Sequence, residues 1–153
     1  MVVYRITNAK YKEAILSGVG AELYGGRWNM TGTRAVYCSQ HVSLALLEYY
    51  IHAENIALLP KEILVAEIVI PDNLNIHKLQ VLPKQWNTYP YSPNSARVFT
   101  EMVVHDAILG LQVPSAIVGL ESNIILNPLH KDFGKVSVKA FHNLPIDPRP
   151  REK

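Results

Sequence analysis

The chain is poor in the features that most readily declare a function. It has one cysteine, Cys38, among 153 residues, so no internal disulfide can form. Its six histidines are scattered without the spacing of a metal-binding pair, which argues against a metal site. There is no phosphate-binding glycine–lysine loop, no paired-cysteine motif, no zinc-protease helix and no nucleophile elbow. Apolar runs break well short of the roughly 18 residues that a membrane-spanning helix needs. Residues 1–5 show no charged region leading into a long apolar stretch, so no signal peptide is expected. A formal charge of +2 is too small by itself to predict binding to nucleic acid or a membrane. Basic side chains concentrate only in residues 149–153, beside Pro148 and Pro150, and that end reads as a frayed tail. A cytoplasmic protein is the default expectation.

What is present is enough apolar material for a core. Nearly half the residues are hydrophobic (48%), which is globular composition, and the length suits one domain. The expected organisation is a single domain over 1–146 and a flexible basic tail over 147–153. Short β-rich segments at 2–6, 34–38, 63–70, 113–119, 123–126 and 135–141 read as strands. Residues 11–16 read as a helical turn and 20–26 as a loop. Two longer helices are expected. One runs over about 40–53 with Ser39 as its N-cap, apolar on nearly all sides and therefore buried. The other spans about 96–109, capped by Asn94 or Ser95 and stopped by Gly110. Residues 73–95, with Pro83, Pro90 and Pro93 among Trp86, Tyr89 and Tyr91, read as a surface excursion whose aromatics seek burial. Short strands around two helices, without regular strand–helix alternation, point to an α+β fold with a mixed sheet.

The chain's chemistry concentrates in residues 25–48. Glu48 is the one formal charge in an apolar segment, with Leu44, Leu47 and Ile51 about a turn away. A carboxylate placed there needs a cation or several donors. It either pairs with an arginine to hold helix to sheet, faces a water-filled groove, or meets a cationic substrate. Arg27 follows Gly25-Gly26, where backbone can approach a ligand closely. Its guanidinium suits a phosphate, and a surface arginine is the plainer reading. Arg5 lies in a strand and is either a second phosphate contact or an edge charge. Tyr37 suits stacking on an aromatic ring or a place in the core. Ser115, after Pro114 at a strand entry, suits a ligand hydrogen bond or a turn. Asn123 is a turn residue by default. Cys38 reads as a small buried hydrophobe rather than a nucleophile.

Taken together, Tyr4-Arg5, Gly25-Gly26-Arg27-Trp28-Asn29, Val36-Tyr37-Cys38-Ser39, Leu46-Leu47-Glu48, Val113-Pro114-Ser115-Ala116, the segment 123–128 and the segment 130–133 resemble the RES-domain family. Arg27, Glu48 and Ser115 stand at the positions for which that family is named. Val118-Gly119-Leu120-Glu121 stands where the family carries a proline-containing turn. The resemblance implies a fold similar to that of ADP-ribosyltransferases and the toxin half of a bacterial toxin–antitoxin pair. It implies NAD+ as substrate rather than cofactor, cleaved at the nicotinamide–ribose bond and depleted, with ADP-ribose passed to water, phosphate or, in the alternative, a protein. It places Glu48 at the developing ribose cation and Arg27 with Arg5 at the pyrophosphate. Tyr37 would meet nicotinamide, and Ser115, with Asn123, the nicotinamide side or a ribose hydroxyl. The implied partner is an Xre-like antitoxin covering the site, and a homodimer is compatible. A non-catalytic nucleotide- or partner-binding module, with Glu48 in a structural ion pair, is the alternative from another class. An RNA-cleaving toxin fits poorly with the low charge.

Overall fold

The computed structural model describes residues 1–53, 59–60 and 62–147; the basic tail expected at the C-terminus lies, from residue 148 on, outside them. Seven strands form one sheet: β1 (Val2–Thr7), β2 (Val36–Ser39), β3 (Glu62–Val69), β4 (Ile76–Lys78), β5 (Gly110–Pro114), β6 (Ser122–Leu126) and β7 (Ser137–Pro145). Their spatial order is β4-β5-β6-β2-β1-β3-β7. Neighbours are antiparallel except β4 and β5, which run parallel. The helices are α1 (Val19–Tyr24), α2 (Val42–Ile51) and α3 (Pro93–Asp106). The α+β class with a mixed sheet stands.

The core lies on both faces of the sheet. One cluster gathers Val3, Val36, Cys38, Ala66, Ile68, Ile124 and Leu126; the other gathers Trp28, Ala35, Phe99, Leu111, Val113 and Ile125. Alternation along a strand sends successive side chains to opposite faces. Consecutive Ile124, Ile125 and Leu126, all fully buried, therefore mark β6 as a strand covered on both sides, and its neighbour β2 shares that position.

Besides a register shift between Glu67 and Ile68 where β3 meets β7, the β1–β2 junction departs from regular pairing. β1 and β2 are in register only at Tyr4↔Ser39. The next step of the ladder is replaced by a side chain: Arg5 Nη1 donates to the Tyr37 carbonyl at 2.8 Å. The guanidinium satisfies an acceptor that a backbone N–H would otherwise meet, and the sheet opens at its middle.

Several expected boundaries move, each for a local reason. Residues 20–26 are not all loop, because α1 occupies Val19–Tyr24. Its glycines hide it in the sequence, and the loop that follows holds it: Asn29 Nδ2 and Gly25 N both donate to the Ala21 carbonyl, and Gly32 N donates to that of Glu22. Ser39 is the last residue of β2 and not a helix cap. His41 takes the N-cap place of α2 without a side-chain bond, and the Ser39 hydroxyl is used elsewhere. Nor is α2 buried all round: Leu44 and Ala45 are, while Leu47 and Ile51 are 38% and 63% exposed. The cap of α3 is Ser92, which accepts from Asn94 N, with Pro93 in the first turn, a position where a missing N–H does no harm. The helix ends at Ala107 in the left-handed region, and Gly110 instead opens β5. There an added Cβ would lie 2.7 Å from Ile76 Cδ1 and 2.9 Å from Leu126 Cδ2, so both side chains would have to shift for β4 and β6 to pack on β5. Within 73–95 the short strand β4 escapes the sequence pattern because two of its three residues are exposed.

Candidate functional site

A cleft of about 550 Å³ lies over the junction of β1 and β2 and is lined by Arg5, Arg27, Tyr37, Ser39, Glu48 and Asn123 among others. Glu48 projects from α2 with its side chain 20% exposed. The expected apolar surroundings are replaced by donors. Glu48 Oε1 accepts from Ser115 Oγ at 2.9 Å and from Asn123 Nδ2 at 2.7 Å. Its Oε2 is 3.8 Å from His52 Nδ1, whose closer contact is the Glu48 carbonyl at 2.7 Å.

Each donor is itself held. Ser115 is 1% exposed and follows β5 rather than entering a strand. Its hydroxyl accepts from the backbone N–H groups of Ile117 and Val118, both at 3.0 Å. That commits its acceptor capacity and leaves its one proton for Glu48. Asn123 sits in β6 directly across from Ser39, and its Oδ1 accepts from the Ser39 hydroxyl at 2.6 Å. Ser115 and Asn123 thus act on the carboxylate in this structure.

The glycine-rich loop forms another wall. Arg27 Nη1 donates to the carbonyls of Trp86 and Thr88 at 2.7 and 2.9 Å, and its guanidinium lies 4.7 Å over the Tyr91 ring. Trp28 stacks on Trp86, with ring centroids 5.7 Å apart. The excursion is therefore tied to the loop, which gives Trp86 and Tyr91 the partial burial expected; Tyr89 is 86% exposed and does not join them. No hydrogen bond or ion pair joins Arg27 to Glu48 among the described residues, and the helix-to-sheet ion pair is not formed.

Tyr37 joins the two walls. Its hydroxyl donates to Asn29 Oδ1 at 2.7 Å and accepts from Trp28 N at 3.1 Å. An added Cβ on Gly26 would lie 2.7 Å from that hydroxyl, so the glycine makes room for the tyrosine rather than for a turn alone. Burial raises the Tyr37 hydroxyl well above the ordinary tyrosine range, and it stays a neutral donor. Burial lowers Arg5 from its ordinary value. Its Nη1 is spent on the Tyr37 carbonyl, and its buried Nε has no hydrogen-bond partner among the described residues. Burial also pushes the Cys38 thiol up to about 12, the behaviour of a core residue and not of a nucleophile.

Three residues around the cleft were not singled out from the sequence as site residues. Asn29, 1% exposed, spends its amide on the carbonyls of Ala21, Met30 and Thr33. Its place in Gly-Gly-Arg-Trp-Asn was the one available signal. Ser39 was assigned to a cap it does not form. His52 carries no pattern that would distinguish it from a surface histidine.

A family model described as "RES domain" matches residues 2–147. The chain is 44% identical over 136 residues to "Toxin Res" of Photorhabdus laumondii subsp. laumondii, covering 88% of this chain and 86% of that protein. It is 34% identical over 149 residues to "Prs ADP-ribosylating toxin" of a Sphingobium species, covering 94% and 91%. In three dimensions it is similar to a chain of the crystal structure of the M. tuberculosis MbcT-MbcA toxin-antitoxin complex. The TM-score is 0.74 at 18% identity, over 94% of this chain and 84% of that one.

Proposed function

The chain belongs to the RES domain family, and from that premise we propose that it is a toxin-type enzyme that cleaves the nicotinamide–ribose bond of NAD+, passes ADP-ribose to water or phosphate and so depletes the cell's NAD+. The observation that carries this reading is the cleft itself. It holds a carboxylate with two donors on one oxygen and no lysine or arginine paired to it among the described residues, and an arginine on a separate wall.

The chemistry asks for that arrangement. Nicotinamide is a pyridinium in NAD+ and leaves neutral, taking the electron pair of the bond from C1′, so no general acid is required. Positive charge develops on the ribose, as in glycoside cleavage. Glu48, preorganised by Ser115 and Asn123, stabilises that charge where it forms. Arg27 and Arg5 offer guanidinium N–H groups to the pyrophosphate. The open face of Tyr37 meets the nicotinamide end. Water or phosphate then bonds to C1′, and water loses a proton to the medium. The protein needs no cofactor or metal for these steps.

A second reading concerns only the acceptor. A relative named "Prs ADP-ribosylating toxin" at 34% identity favours transfer of ADP-ribose to a protein. The solved neighbour was crystallised as a toxin–antitoxin complex, which supports an antitoxin partner; we propose that this partner is Xre-like and covers the cleft.

The test is incubation of the purified protein with NAD+ carrying a label on its adenosine half. Nicotinamide release with label in free ADP-ribose or its 1-phosphate supports the first reading. Label retained on protein supports the second, and absence of nicotinamide release overturns both.

A further inference from the structure

Ser39 does not fill the capping role that the sequence suggested, and its bond explains how Glu48 is held. The argument starts from the amide of Asn123. A carboxylate only accepts, so the Asn123 atom 2.7 Å from Glu48 Oε1 has to be the nitrogen. That places Oδ1 toward β2. There the Ser39 hydroxyl lies 2.6 Å away, and facing an amide oxygen it has to donate. Ser39 lines the cleft but is only 4% exposed, so little of it meets solvent. Ser39 and Asn123 are direct cross-strand partners, which fixes the distance through the sheet and not through loops.

The other donor to Oε1 is oriented independently. Two backbone N–H groups fill the acceptor side of the Ser115 hydroxyl, so its proton points to the carboxylate whatever Asn123 does. Among the described residues the Asn123 amide has no such backbone lock. If the Ser39 hydroxyl is removed, Oδ1 loses its donor, and the amide can turn through half a revolution. The turned amide would set an oxygen against the Glu48 carboxylate.

We infer that Ser39 is a positioning residue for catalysis: it sets the polarity of the Asn123 amide, and through it the placement of the Glu48 carboxylate. The inference rests on the proposed role of Glu48 in NAD+ cleavage. Its effect falls on the chemical step. Substrate binding is left nearly unchanged, because the nearly buried Ser39 hydroxyl spends its proton on Asn123 and not on a ligand.

The experiment compares Ser39→Ala, Ser39→Cys and Ser39→Thr with the parent protein, in kinetics and in NMR of the Asn123 side-chain amide. Cysteine keeps the size with a weak donor, and threonine keeps the hydroxyl. The expected result is a roughly tenfold to hundredfold fall in kcat for alanine and cysteine, the rate equivalent of one buried polar group left unpaired. KM should change little, and threonine should recover kcat. The Asn123 amide protons should be protected and charge-shifted in the parent and in Ser39→Thr, and should lose both properties in the other two. Should Ser39→Ala not fold, Ser39→Cys carries the same comparison. An unchanged kcat, or a rise in KM alone, would overturn the inference; the second result would make Ser39 a substrate contact. If the parent releases no nicotinamide, the functional reading fails while the amide signal still tests the lock.

Discussion

The two walls of the cleft are built by different means. Around Glu48 the geometry comes from the sheet: β6 presents Asn123, β2 presents Ser39 opposite it, and the end of β5 presents Ser115. Around Arg27 it comes from loops, through two bonds to backbone carbonyls, a cation–ring contact and a stacked pair of tryptophans. Strand registers hold atoms to fractions of an ångström, which the proposed cleavage demands where charge would develop at one carbon. Loops tied by stacking hold less tightly, which suits a wall that admits and releases a large ligand. Tyr37 connects them, with its backbone in β2 and its hydroxyl in the glycine-rich loop.

Substitutions can break this contrast, and they separate by size. The largest effect is expected from Glu48→Gln. Its Oε1 still accepts from Ser115 and Asn123, so the fold should survive while the charge is gone. NAD+ turnover should fall by about a thousandfold or more, roughly 4 kcal/mol of barrier, with little change in melting temperature. Unaltered turnover would remove Glu48 from the chemistry.

Asn29→Ala comes next and attacks the loop-built wall at its base. It leaves the Ala21, Met30 and Thr33 carbonyls without the amide and Tyr37 without its acceptor. A stability loss of about 2–4 kcal/mol is expected in denaturant unfolding. A loss within error would mean that water replaces the amide and that the loop is not pinned there.

Arg27→Ala should act on binding. Measured in the Glu48→Gln background, where substrate survives, the Kd for NAD+ should rise by about tenfold to a hundredfold. A normal Kd would count against a phosphate contact. The smallest effect, absent at neutral pH, belongs to Cys38 beneath the sheet-built wall. Burial raises this thiol from 9.0 to about 12, so the folded state binds its proton more tightly than the unfolded chain does. The contribution to stability is complete below pH 9.0 and fades as the pH rises toward about 12. Unfolding free energy followed across that range should fall more steeply in the parent than in Cys38→Ala. Equal slopes would show that the thiol is not sealed.

Much of the outline was legible along the chain. β3 follows a run of β-branched residues, and α3 was legible as a helix although its start lies a few residues before the expected cap. Glu48 stood out because a lone charge between leucines needs an explanation. The explanation itself was not legible. Leu47 and Ile51 point to solvent, and the groups that meet the carboxylate lie 67 and 75 residues away. The short elements were missed for a related reason: α1 is held by Asn29, and β4 by pairing with β5. Each is too short for local preference to declare it: six residues with a glycine among them, and three residues.

By itself the sequence determined the α+β class, several of the strands, and the oddity of a lone carboxylate in an apolar segment beside a glycine-flanked arginine. Those follow from local propensity and from chemistry that each residue carries with it. Only the tertiary structure decided which of these residues meet. It set Ser39 against Asn123, aimed Ser115 at Glu48, and placed Arg27 on another wall with no ion pair to Glu48. Hydrogen-bond partners are chosen by the register of strands far apart in the chain, and that register is settled by how both faces of the sheet are buried.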